Sequence, residues 1–71
     1  MWILCQSERL LLKVEYFRVI YVTDGCVVQG YSEEYGLVGL GEYDTMERSL
    51  EIMREVFDSL EIGKYTMPKE R

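Results

Sequence analysis

The chain has 71 residues, a net charge of −5, 13% aromatic residues, no histidine and two cysteines. A chain of this size is one domain near the lower limit for a self-sufficient core, because it removes only about 60% of its unfolded surface from water. The charge disfavours a nucleic-acid binder, no apolar run reaches the length of a membrane span, and the lack of His beside only Cys5 and Cys26 rules out an ordinary zinc site.

The first apolar stretch, Trp2-Ile3-Leu4-Cys5-Gln6, predicts a strand over 2–6, closed by the polar turn Ser7-Glu8-Arg9. A long β-forming run then spans residues 10–23. Leu12, Val14 and Tyr16 alternate with Lys13 and Glu15, but Arg18 falls on the wrong parity. A bulge or bend near Tyr16-Phe17 therefore divides it into strands over 10–16 and 17–23. Asp24-Gly25 is the strongest local signal and predicts a type I′ hairpin turn into a strand over 26–32. That turn would set Thr23 opposite Cys26, Val22 opposite Val27, Ile20 opposite Gln29 and Arg18 opposite Tyr31. Phe17, Val19, Tyr21 and Val28 would share one face. The other, half-apolar face would carry Arg18, Ile20, Val22, Val27, Gln29 and Tyr31, a mixture that often marks a protein contact.

Residues 32–36 form a loop, and a strand follows over 37–43. Leu37, Gly39, Gly41 and Tyr43 are expected on one side of it and Val38 and Leu40 on the other. At Asp44 the hydrophobic period changes from two to that of a helix, over 45–62. Asp44 with Glu47 has the capping-box spacing, and Gly63 supplies the stop. Met46, Leu50, Met53, Phe57 and Leu60 make the central stripe, with Ile52 and Val56 widening it to one side. A short edge strand over 64–67 ends at Pro68. The expected fold is thus α+β in a single domain, 1–71: an antiparallel meander of four to five strands, one amphipathic helix packed across it, and a short edge strand.

Three stretches together resemble a family of short proteins of Firmicutes and their phages. They are Met1-Trp2-Ile3 followed by Gln6; Leu40-Gly41-Glu42-Tyr43 followed by Glu47-Arg48; and Tyr65-x-Met67-Pro68. The first commonly reads Trp-Ile-Arg-Ser-Gln-Asp in that family, and this chain departs from it at Leu4, Cys5 and Ser7. The resemblance implies a phage or mobile-element accessory protein in a bacterial cytoplasm. It brings no catalytic residues.

Chemistry is sparse. Gly39-Leu40-Gly41-Glu42-Tyr43-Asp44 lacks the third glycine of a dinucleotide loop, and its carboxylates would repel a pyrophosphate. Glu47, Glu51 and Glu55 lie a turn apart on a helix face that reads as solvated, with Arg48, Arg54 and Lys64 near enough to compensate partly. Without His, a Ser or Cys nucleophile lacks its commonest base, and Cys5 sits in an apolar strand that would raise its pKa. No signal peptide precedes the cysteines, so two reduced, buried thiols in a cytosolic protein are expected rather than a Cys5–Cys26 bridge. The basic residues are scattered, apart from Lys64, Lys69 and Arg71 near the end.

The tyrosines are the more informative group. Tyr31, Tyr35 and Tyr43 fall on or beside the loops flanking the glycine strand, and Arg18 opposite Tyr31 would add a cation–π pair. The expected function is non-catalytic binding, without cofactor, metal or catalytic residue. In one version a homo-oligomer joined through Ile20, Val22, Val27, Ile52 and Val56 captures a small ligand, such as a nucleotide signal of host defence, with Arg18, Tyr31, Tyr35 and Tyr43. In the other an acidic face docks on and inhibits a host protein. A small enzyme is the third choice.

Overall fold

A computed structural model describes residues 1–70. Over these described residues the molecule is α+β, with six strands in two three-stranded sheets and one helix. The strands are β1 (Trp2–Leu4), β2 (Leu11–Lys13), β3 (Tyr16–Val22), β4 (Gly25–Ser32), β5 (Gly36–Tyr43) and β6 (Lys64–Thr66), with α1 (Met46–Asp58) between the last two. One sheet has the order β2-β1-β6, with β1 parallel to β6; the other is the antiparallel meander β3-β4-β5. The strands do not form one continuous sheet because the chain changes sheets between Val14 and Glu15. The Val14 N–H donates to Met1 O at 2.8 Å, while the Glu15 N–H donates to Tyr31 O at 2.8 Å. This is the expected break in the long β-run, moved slightly towards the N-terminus.

The β3–β4 hairpin turns earlier than the Asp24-Gly25 signal implied. Val22 pairs with Gly25, so Thr23 and Asp24 form the loop, and Gly25 alone in this hairpin has a positive φ, 146°. A type I′ turn needs positive φ at both loop residues, so it does not form. The pairing is displaced by two residues: Arg18 faces Gln29, and Tyr31 faces Tyr16. A two-residue slip preserves parity, so both face assignments survive while the Arg18–Tyr31 pairing does not. Gly25→Val is expected to cost more than about 1 kcal/mol, because a β-branched side chain resists positive φ. Urea melts of the two proteins check this, and coincident curves would show that the backbone adapts.

A bulge interrupts β5. Val28 pairs with Gly41 and Gln29 with Gly39, leaving Leu40 as the extra residue. Beyond it the alternation inverts, so Gly41 and Tyr43 turn inward, away from the side that carries Leu37 and Gly39. Gly41 is required there. A Cβ on it would lie 2.6 Å from the Tyr43 hydroxyl and 2.9 Å from its ring, and that ring is fully buried.

The helix starts one residue later than expected. Thr45 is the N-cap in place of Asp44, its hydroxyl accepting the Arg48 N–H at 3.0 Å. The helix also ends early, at Asp58. The Ser59 hydroxyl donates back to Glu55 O at 2.8 Å, and the Ser59 and Leu60 N–H groups tighten onto Val56 O and Phe57 O. Its inner face is Ser49, Ile52 and Val56, all buried, with Met53 partly buried beside them. The larger stripe of Leu50, Phe57 and Leu60 lies outside. The sheet beneath is already filled by Tyr43 and Leu40, and the face with the small Ser49 is the one that closes over it. One core joins everything: Ile3, Leu12 and Val14 near the first sheet, Val28, Leu40 and Tyr43 from the second, Ile52 and Val56 from the helix, and Met67.

Gln6 fastens the two sheets together. Its N–H donates to Leu40 O at 2.8 Å, its side-chain amide donates to Glu42 O at 3.0 Å, and its side-chain oxygen accepts the Glu42 N–H at 2.9 Å. The same amide donates to Pro68 O at 3.0 Å, where the Tyr43 hydroxyl also donates at 2.9 Å. Gln6, Tyr43 and Pro68 thus meet at one structural joint.

Candidate functional site

The candidate surface is the face of the β3-β4-β5 sheet turned away from the helix. Strand alternation sends Cys26, Val28 and Ser32 of β4 into the core and leaves Val27, Gln29 and Tyr31 on the opposite side, half-buried among their neighbours. The pairing sets Ile20 beside Val27, Arg18 beside Gln29 and Tyr16 beside Tyr31 on one flank. Leu37, Gly39 and Glu42 follow on the other. The Tyr16 and Tyr31 rings stack, with centroids 5.0 Å apart and planes within 4° of parallel. Beside them the Arg18 Nε–H donates to Gln29 Oε1 at 2.7 Å, which holds the guanidinium against the sheet. The result is an aromatic platform flanked by a fixed cation and an apolar patch of Ile20, Val22 and Val27.

Arg18 and Tyr31, with Ile20, Val22 and Val27, therefore do share one surface. The remaining expected residues lie elsewhere. Tyr43 is a core residue, 0% exposed, with its hydroxyl bound to Pro68 O, so it offers nothing to a ligand. Tyr35 is half-exposed in the β4–β5 loop, where the Ser32 hydroxyl accepts the Glu34 and Tyr35 N–H groups at 3.2 and 3.4 Å. It lines a shallow cleft with Trp2, Leu11 and Lys13, separate from the platform. Ile52 and Val56 are enclosed in the core and form no part of an interface; the exposed apolar helix residues are Leu50 and Phe57, 70% exposed in the latter case. Tyr16 and Leu37 belong to the surface but were not anticipated. Tyr16 is placed there by the change of sheet before it, since the break falls on its N-terminal side and makes it the first residue of β3 rather than the last of the preceding strand.

The acidic helix row is partly neutralised. Arg48 makes ion pairs with Glu51 at 3.5 Å, Glu55 at 3.8 Å and Glu70, and Glu55 also accepts the Tyr65 hydroxyl at 2.5 Å. The hydrogen bonds from Arg48 hold the Glu70 carboxyl below its ordinary pKa. Of the basic group near the end, Lys69 pairs with Glu8 at 2.7 Å, and Arg71 lies outside the described residues. Cys5 and Cys26 are both free and buried, and burial pushes the Cys5 thiol above its ordinary pKa, which makes it a poor nucleophile. Among the described residues, no group of three or more His, Cys, Asp or Glu is placed to hold a metal, and no helix is long and apolar enough to cross a membrane.

No protein-family model, curated protein or solved structure matches the chain.

Proposed function

We propose that this chain is a non-catalytic binding protein that works as a homo-oligomer. It captures a small planar anion, such as a nucleotide signal, where subunits meet. The setting that fits is a phage or mobile-element accessory role, counter to host defence, in a bacterial cytoplasm. One observation carries this reading: the stacked Tyr16–Tyr31 platform with Arg18 fixed beside it, on a sheet face rich in apolar residues. Stacking on a ring and a guanidinium suits a planar ligand with negative charge, and in a chain of net charge −5 an anion needs such a local cation. A flat face becomes a concave pocket most easily when a second subunit closes over it. Neither a cofactor nor a catalytic residue is part of this reading, and neither nucleic acid nor a membrane is a partner.

The test is native mass spectrometry of protein purified directly from cells, with and without Arg18→Ala combined with Tyr31→Ala. The unaltered oligomer should carry a ligand mass that the double variant loses while keeping its subunit count. An oligomer free of any bound mass, or a variant that retains it, counts against the reading. A second reading, an acidic inhibitor of a host protein, draws support from exposed Leu50 and Phe57 set among Glu47, Glu51 and Asp58. It would respond to charge reversal of Glu47, Glu51 and Glu55 and weaken with salt. The ion pairs of Arg48 with Glu51 and Glu55 reduce the field available for it, so the sheet face is preferred.

A further inference from the structure

The two edges of the β3-β4-β5 sheet are treated very differently. The C-terminal half of the outer edge of β5 is capped, since Gln6 bonds the Leu40 carbonyl and both the N–H and C=O of Glu42. Among the described residues the outer edge of β3 has no strand beside it, and β4 is its one strand neighbour. At seven residues, Tyr16–Val22 is also much longer than the edge strands β2 and β6, which have three residues each. An edge strand directs every second N–H and C=O outward and invites pairing, so folded proteins usually blunt it with Lys, Pro, a bulge or short length. β3 has no Lys or Pro and is not short, and Arg18 is its one charged residue. It reads Tyr-Phe-Arg-Val-Ile-Tyr-Val, with Tyr21 75% exposed and Tyr16 and Val22 exposed as well.

We propose that a second copy of this chain pairs with β3 edge to edge, antiparallel about a two-fold axis at Val19, which makes one six-stranded sheet. This rests on the homo-oligomer of the proposed function and names its joint. Charge selects the occupant. No acidic residue lies between Glu15 and Asp24, although the chain carries 13 of them, so two negatively charged copies can meet here without opposing carboxylates. Charge also selects the register. An axis at Arg18 would set the two guanidinium groups directly opposite each other, which destabilises a cross-strand pair. An axis at Val19 uses the whole strand. It places Tyr16 opposite the partner's Val22, Phe17 opposite the partner's Tyr21, and Arg18 opposite the partner's Ile20. Such an interface is isologous, so each contact occurs twice. A two-fold perpendicular to the sheet also keeps both Tyr16–Tyr31 platforms on the same face, on either side of the joint.

The register makes a test in which charge sign matters. Ile20→Lys would set an ammonium beside Arg18 of the partner subunit at both symmetric positions, and sedimentation equilibrium should report an association about tenfold weaker. Ile20→Glu would set a carboxylate at the same places, and association should hold to within about threefold or tighten. Combining Ile20→Glu with Arg18→Glu should weaken it again. In the unaltered chain, alternate amides of Tyr16–Val22 should exchange more slowly as protein concentration rises. This readout stands even if a variant fails to fold. Equal weakening by Lys and Glu, or an oligomer whose β3 amides do not respond to concentration, would overturn the edge joint while leaving the homo-oligomer in place. A wild-type monomer at micromolar concentration would overturn both, including the case where β3 is protected only by an added peptide of another protein.

Discussion

Tyr43→Ala is expected to leave much of the protein unfolded at room temperature. Tyr43 is the largest fully buried side chain and the centre of the joint between the sheets, the helix and the Met67-Pro68 segment. Truncating a buried aromatic costs about 3–5 kcal/mol. A domain of this length has only about 4–11 kcal/mol of total stability, so the loss is comparable with the whole. Tyr43→Phe should cost far less, about 1 kcal/mol, because Pro68 O keeps its bond from the Gln6 amide when the phenol is removed. The phenol also sets a pH limit. Burial, followed by the nearby Glu70 charge, raises its pKa from 10.0 to about 12. The folded state therefore favours the neutral ring. Its contribution is complete below pH 10 and is lost as the pH rises towards about 12. Tyr43→Phe should flatten that part of the alkaline unfolding curve, although Tyr65, also raised by burial and by its bond to Glu55, keeps a share of it. A Tyr43→Ala protein as stable in urea as the parent would show that the ring does not organise the core.

The second large effect lies on the helix. Ile52→Ala should cost about 2–5 kcal/mol, since Ile52 is 0% exposed. Phe57→Ala should change stability by less than about 0.5 kcal/mol, although it removes the bigger side chain, because Phe57 faces solvent. Denaturant melts of the two variants give the ranking directly. A reversed order would put the Leu50–Phe57 stripe inward and rotate the helix by about one residue's turn, roughly 100°.

That ranking also marks what local pattern can and cannot tell. The change of period at Asp44, the hairpin near Asp24-Gly25 and the faces of β3 and β4 are all legible, because strand alternation and turn chemistry act over a few residues. The face assignment even tolerates the two-residue slip in pairing. The choice between the two adjacent apolar helix stripes is not legible, because it depends on the volume the opposing sheet leaves free. The bulge at Leu40 is equally hidden: one extra residue moves Gly41 and Tyr43 to the other face and turns an expected ligand residue into core. Gln6 gave no sign of its role, since its partners at Glu42 and Pro68 lie 36 and 62 residues away. Of the candidate site, Arg18, Tyr31, Ile20, Val22 and Val27 were grouped by alternation alone, whereas the ring stack with Tyr16 needed the true register.

The parallel pairing of β1 with β6 bears on the order in which the fold is assembled. The β3-β4-β5 meander closes through neighbouring hairpins, and such local pairing costs the least chain entropy to form first. β1 cannot finish pairing then. Its Leu4 carbonyl waits for the Met67 N–H, and its second neighbour is Lys64–Thr66. β1 precedes every other strand described, yet it is among the last to be completed. In the interval Trp2, Ile3 and Leu4 form an apolar ribbon with one side unpaired, open to a chaperone or to another nascent chain. Substitutions in the β3–β4 hairpin should accordingly slow folding, whereas those in β6 should mainly speed unfolding.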